Sequence, residues 1–287
     1  MGNKRPAYRA ASNENLFGTS PKVKEALQNA LLEVNSYPHP DAACLRTALA
    51  LRLGISTSEI IVGSGSAELI SLLVRRFCGS DRAASVISLS PSYPLYRQEA
   101  QALQIPFRVA PLTSSYEVDV HSLLNKADDS TRLCFLCNPN NPTGTYLPIS
   151  ELEYLLHRLP SHVILVVDEA YIEYVTATDY GDALSLLPKF PNLIILRTFS
   201  KAYGLASLRI GYMIAQESLI KQVLEVKQPY NVNHLAQVAA QAALEDEHFI
   251  NHTMEATQAG KAKLEQALQR LGVHYWPSQS NFLLLDA

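Results

Sequence analysis

No stretch of this sequence approaches the ~18 to 20 consecutive apolar residues that cross a bilayer, so no membrane span is expected. The opening Met1-Gly2-Asn3-Lys4-Arg5-Pro6 lacks an apolar signal core. It begins like a myristoylation signal, but Pro6 stands where Ser or Thr is needed. Neither sign of charge dominates: 24 Lys and Arg against 27 Asp and Glu leave a net charge of −3. That balance supplies no electrostatic footprint for nucleic acid. Cysteine is scarce, with only Cys44, Cys78, Cys134 and Cys137. The Cys134/Cys137 pair lies in a strand-like run, where residues three apart face opposite sides, so neither a redox pair nor a zinc site is expected. His248 and His252 are spaced i, i+4 on a predicted helix, but no Glu follows the first and no third ligand is in view. No metal is therefore expected, and reduced thiols point to the cytoplasm.

What the chain does have is regular alternation. Strand-like runs near Ile60, Val86, Phe107, Leu133, Val163, Leu193 and Ile210 are separated by helical patterns. Alternation of this kind predicts a doubly wound, mostly parallel α/β sheet. A helix is expected from Pro21, and one long helical stretch from about Leu235 to Leu271. With 287 residues, there is enough chain for one large domain and part of a second. The expected division is an N-terminal arm over 1–30, a large α/β domain over 31–250, and the start of an incomplete small C-terminal domain over 251–287.

The most informative stretch is Arg197-Thr198-Phe199-Ser200-Lys201-Ala202-Tyr203-Gly204-Leu205-Ala206-Ser207-Leu208-Arg209. A lysine at a strand's end, with little charge around it, can lose basicity and act as an amine nucleophile. Two hydroxyls and an arginine beside it suit a phosphate. Together they suggest a Schiff-base lysine next to a phosphate anchor, as pyridoxal phosphate requires; the plain alternative is a solvated loop with routine charges.

Three upstream segments share this character. Val163 to Val167 reads as a buried parallel strand and ends in Asp168-Glu169-Ala170-Tyr171. Acids at the carboxyl end of such a strand lie where open α/β sheets bind ligands, and a carboxylate there could keep a pyridinium nitrogen protonated. Leu133 to Cys137 leads into Asn138-Pro139-Asn140-Asn141-Pro142-Thr143-Gly144, turn chemistry that also offers amide groups. Ile60-Ile61-Val62 leads into Gly63-Ser64-Gly65-Ser66-Ala67-Glu68, small residues that let backbone N–H groups face an anion. The pattern is Gly-x-Gly-x-x-Glu, so a dinucleotide reading is weak.

In these runs, and in Ser12 to Gly18, Tyr37 to Asp41, Pro91-Ser92-Tyr93, Gln228 to Asn233 and Pro277 to Phe282, the chain resembles the fold-type I pyridoxal-phosphate aminotransferases, and among them the histidinol-phosphate aminotransferase branch. The resemblance implies a large sheet of seven strands with one antiparallel, the candidate being the strand near Ile210 to Ala215. It implies that Lys201 binds pyridoxal 5'-phosphate covalently and later moves a proton, that Asp168 pairs with the ring nitrogen, and that Asn141 and Tyr171 hydrogen-bond the phenolic oxygen. Tyr93 would stack on the ring. Gly65, Ser66 and Ala67, with Thr198, Ser200 and Arg209, would hold the phosphate. Tyr37 would reach the phosphate of a neighbouring subunit in a homodimer.

The activity so implied is transfer of an amino group from a small-molecule donor, histidinol phosphate or an aromatic amino acid, to a 2-oxo acid or aldehyde acceptor. Phosphothreonine decarboxylases share much of the pattern. The resemblance also implies more chain beyond Ala287, including an arginine for the donor's carboxylate, and a longer arm before Asn13. A shortened natural relative and a fragment of a longer protein both fit, and a cofactor-binding remnant without catalysis is the third reading.

Overall fold

The computed structural model describes residues 11–81 and 83–286. The opening hexapeptide read above for targeting signals lies outside them.

Seven strands form the main sheet: β1 (Ile60–Gly63), β2 (Ser85–Ser90), β3 (Phe107–Pro111), β4 (Thr131–Cys137), β5 (Ile164–Asp168), β6 (Leu193–Thr198) and β7 (Gly211–Ala215). Their order is β1-β7-β6-β5-β4-β2-β3. All neighbours are parallel except β7, which runs antiparallel to both β1 and β6. The expected seven strands are all present, and the strand after Ile210 is the antiparallel one.

The sheet is buried on both faces, and alternate residues of each central strand enter different cores. Cys134, Leu136, Leu165, Val167 and Ile195 pack on one side. Helices α1 (Pro21–Ala30), α2 (Ala43–Leu53), α5 (Val120–Lys126), α6 (Ile149–Arg158) and α8 (His234–Leu244) contribute to that core. Leu133, Phe135, Val166, Ile194 and Leu196 face the other side, against α3 (Gly65–Cys78), α4 (Leu95–Ala102) and α7 (Glu217–Leu224). Two-sided burial explains why these strands read as continuous apolar runs. It also puts Cys134 and Cys137 in opposite cores, and all four cysteines are free thiols. Burial pushes the Cys134 thiol up to about 12, away from thiolate chemistry.

The long helical stretch expected after Leu235 is two helices, α8 and α9 (Glu247–Leu271). Asp246 leaves helical geometry, with φ −107° and ψ 73°, and its side chain caps α9 by accepting the Phe249 amide at 3.1 Å. Asp competes for local backbone donors, which is why it favours a helix start over an interior. Beyond α9, the two-residue strands β8 (Tyr275–Trp276) and β9 (Leu284–Leu285) pair antiparallel. Residue 250, where the large domain was expected to end, falls inside α9.

His248 and His252 lie on the exposed surface of α9. Among the described residues no group of His, Cys, Asp or Glu is arranged for a metal, and no helix is long and apolar enough to cross a membrane.

Candidate active site

The carboxyl ends of β1, β4, β5 and β6 lie together, and the amino end of β7 joins them because it runs the other way. Gly211 pairs with both Gly63 and Thr198, and Asp168 pairs with Cys137 and Leu196. Beside these strand ends opens a cavity of about 600 Å³. Its walls hold Ser66, Ala67, Thr198, Ser200 and Arg209 at one end, Lys201 and Tyr93 between, and Asn141, Asp168 and Tyr171 beyond. Five segments far apart in sequence thus supply these residues.

The Arg209 end is built for an anion. Ser66 and Ala67 occupy the first turn of α3, where backbone N–H groups have no intrahelical acceptor. Arg209 adopts a left-handed backbone (φ 55°), and its Nη1 donates to Ala206 O at 2.9 Å and to Ser200 Oγ at 3.4 Å. Thr198 Oγ1 donates to Ser200 Oγ and accepts the Ser200 amide, both at 3.0 Å. Gly65 does not line the cavity; its role is steric. Its φ is +77°, and a Cβ there would lie 2.5 Å from Arg209 Nη2. Only glycine lets the guanidinium rest against the helix start.

Lys201 Nζ donates to the carbonyl oxygen of Ser12 at 2.7 Å and sits 5.7 Å from the Tyr171 ring centre. Burial pulls its pKa below the ordinary lysine value; Arg209 adds to that, while Glu14 and Asp168 oppose it. The neutral amine is therefore more accessible than on a solvated lysine.

Asp168 is buried at the end of β5. Burial raises its pKa to about 6, against the lowering effects of the Tyr96 hydrogen bond, the nearby Ala170 amide and the Lys201 charge. Tyr96 Oη donates to Oδ2 at 2.8 Å, whereas the equally buried Oδ1 has no hydrogen-bond partner. Beside it, Tyr171 Oη accepts from Asn141 Nδ2 at 3.3 Å and from Asn13 Nδ2 at 3.1 Å. Burial pushes the Tyr171 phenol up, so it stays protonated near neutrality. Other amides of the Asn138–Gly144 run serve the loop itself: Asn138 bonds Leu147 through both ends of its side chain, and Asn140 bonds Pro91 O and Thr143.

Tyr37 is outside this cavity. It is 84% exposed and packs on Tyr230 with ring centres 5.0 Å apart. Several site residues carried no role in the sequence: Ser12, Asn13 and Glu14 of the arm, Phe282 to Leu284, and Tyr96. The arm residues stood in a run noted for resemblance alone, and Tyr96 was indistinguishable from an apolar helix position. Beneath the site, Arg197 pairs with Glu169 at 2.8 Å and with Asp182 at 2.5 Å, tying β5 to β6 just behind Asp168 and Thr198.

The donor set suits a flat heteroaromatic group with a phosphate at one end and a basic ring nitrogen at the other. The unpartnered Asp168 Oδ1 offers an acceptor for a protonated nitrogen, and the Gly65 cradle brings Arg209, Ser200 and the first turn of α3 to one point.

The model of the family "Aminotransferase class I and II" matches residues 9–287, and the chain belongs to that family. A histidinol-phosphate aminotransferase of Geobacillus sp. (strain WCH70) is 43% identical over 276 residues, which is 96% of this chain and 75% of the relative. Among solved structures, histidinol-phosphate aminotransferase from Sinorhizobium meliloti in complex with pyridoxal-5'-phosphate superposes with a TM-score of 0.90 at 28% identity, over 96% of this chain and 74% of that one. L-threonine-O-3-phosphate decarboxylase from Porphyromonas gingivalis gives 0.80 at 28% identity, over 93% and 78%.

Proposed function

We propose that this chain is a pyridoxal-phosphate-dependent aminotransferase whose amino donor is histidinol phosphate or an aromatic amino acid and whose acceptor is a 2-oxo acid or aldehyde. The observation that carries the reading is the convergence of Lys201, Asp168 and the Arg209 cradle on one cavity. The 43% identity to a histidinol-phosphate aminotransferase supports the donor class.

Pyridoxal phosphate, when bound, supplies an electron sink for charge at the donor's α-carbon. The chain's residues do the rest. Lys201 is the attachment point, and its depressed basicity lets the free amine take a proton at neutral pH and return it. Asp168 is a carboxylate above about pH 6 and holds the ring nitrogen in its protonated form. Tyr171 and Asn141 donate hydrogen bonds toward the phenolic oxygen. Ser66, Ala67, Thr198, Ser200 and Arg209 hold the phosphate, and Tyr93 covers a ring face. A multiply anchored phosphate fixes the ring against Lys201, so orientation costs little at the moment of reaction.

We further propose a homodimer in which Tyr37 completes the partner's phosphate site, a reading supported by its 84% exposure outside its own cavity. The free thiols suit a cytoplasmic setting. We also propose that the chain comprises an N-terminal arm, a large α/β domain and a small C-terminal domain entered through α9. The likeness to a phosphothreonine decarboxylase makes carbon dioxide release the competing activity.

One experiment separates these. The cofactor-loaded chain is mixed with 15N-labelled histidinol phosphate, phenylalanine or tyrosine plus 2-oxoglutarate, and in parallel with phosphothreonine. Label appearing in glutamate is the expected result. Carbon dioxide from phosphothreonine without label transfer would overturn the donor reading, and neither product would identify a binding remnant.

A further inference from the structure

Tyr96 lies in α4 and is fully buried, with its hydroxyl beside Asp168 and the Cys137 thiol. Its ring stacks on Phe135 of β4, with centres 4.7 Å apart and planes 6° from parallel, and meets Tyr93 edge-on at 5.5 Å. Phenylalanine would satisfy both contacts. The hydroxyl instead reaches across the sheet's end to Asp168 Oδ2 at 2.8 Å. Tyr93 lines the cavity three residues earlier, so one short segment carries both an aromatic wall and the carboxylate's partner.

The geometry points to Tyr96 as a positioning residue for Asp168: its hydroxyl commits Oδ2 and thereby fixes Oδ1 as the acceptor for a protonated ring nitrogen in the cavity. Two facts support this. Oδ1 is buried and has no partner in the protein, an arrangement that costs free energy unless a ligand uses it. A carboxylate bonded on one oxygen also keeps its plane, so the free oxygen cannot rotate away. The hydrogen bond favours the ionised form as well, opposing the burial that raises the Asp168 pKa. The inference deepens the pyridoxal-phosphate reading and rests on it.

The test uses Tyr96→Phe, which keeps the ring and its stacking. Cofactor dissociation constants are measured by titration from pH 5 to 9 for wild type, Tyr96→Phe and Phe135→Leu, with thermal melts of each. The other ionisable groups facing Asp168 are Cys137 on β4, Tyr93, Tyr171 and Lys201, and all three proteins retain them. A lost hydrogen bond to a charged acceptor is expected to weaken cofactor binding at pH 7 by about tenfold or more. The pH midpoint below which affinity falls is expected to move upward by about one unit, because Asp168 keeps its proton longer. Phe135→Leu removes the stacking but not the hydroxyl, so its midpoint should match wild type.

A Tyr96→Phe protein with wild-type affinity and midpoint overturns the inference while leaving the cofactor reading intact. So does an equal midpoint shift in Phe135→Leu, which would reduce Tyr96 to packing. A wild-type chain that retains no pyridoxal phosphate overturns both. If Tyr96→Phe fails to fold, 3-fluorotyrosine at position 96 takes its place. Its more acidic hydroxyl donates more strongly, so the midpoint should move down; an unchanged midpoint would again overturn the inference.

Discussion

Lys201 Nζ donates a 2.7 Å hydrogen bond to the carbonyl of Ser12, 189 positions earlier in the chain. The contact is held from several sides. Asn15 Nδ2 donates to Ala202 O at 2.9 Å, and Asn281 Nδ2 donates to Asn13 O at 3.1 Å. Gly204 (φ +69°) lies so close under the arm that a Cβ would stand 2.0 Å from Gly18 O. The arm therefore aims the lysine into the cavity.

Gly204→Ala should force the arm away from the Lys201 turn. With a left-handed backbone and a backbone clash combined, a loss of more than about 1 kcal/mol of stability is expected. Lys201 of the cofactor-free protein should also react faster with an amine-directed reagent. Urea denaturation and peptide-resolved labelling check both; unchanged labelling would show that the arm does not restrain the lysine.

Gly65→Ala should injure the anion end specifically. Its Cβ would stand 2.5 Å from Arg209 Nη2 and displace the guanidinium. Losing one charge-assisted phosphate contact is expected to weaken pyridoxal phosphate about tenfold or more. Pyridoxal without the phosphate should bind both proteins alike, and fluorescence titration with the two compounds makes the comparison.

Asp168 gives a pH prediction of definite sign. Burial raises its pKa from the ordinary 3.8 to about 6. The folded chain thus holds this proton more tightly than the unfolded chain. That contribution is fully present below about pH 4 and is lost as pH rises through about 6, a difference of roughly 3 kcal/mol. Asp168→Asn keeps the shape without the charge. The cofactor-free variant should be more stable than wild type at pH 7 by up to that amount, with the gap closing near pH 4, even though it binds cofactor poorly. Denaturant midpoints at pH 4 through 7 test this; equal stability at pH 7 would contradict it.

Tyr37→Phe should raise the cofactor's dissociation constant without unfolding the protomer. One phenol–phosphate hydrogen bond is worth roughly 1–3 kcal/mol, or about five- to a hundredfold. A C2 interface would duplicate the effect in both sites. Sedimentation showing only monomer at full cofactor occupancy would refute the shared site.

The sheet was legible because its strands are buried on both faces, which leaves unbroken β-branched runs such as Val163 to Val167. Asp168, Lys201 and Arg209 were legible because they end or follow those runs at the carboxyl end of the central strands. Tyr96 was not, since a hydroxyl aimed at a residue 72 positions away leaves no local pattern. Ser12 contributes a backbone carbonyl, which sequence does not encode at all. Nor was the Arg197–Glu169–Asp182 network visible, because it depends on β5–β6 register. The break at Asp246 was missed because the apolar pattern continues across it; the Asp itself was the available signal.

The central claim is that Lys201 carries the cofactor. The chain is loaded with pyridoxal phosphate, reduced with borohydride, digested and weighed by mass spectrometry. The added mass should fall on the peptide containing Lys201, and Lys201→Ala should show neither the mass nor the visible absorbance of the loaded protein. Cofactor mass on another lysine, or a spectrum unaffected by Lys201→Ala, would contradict the assignment.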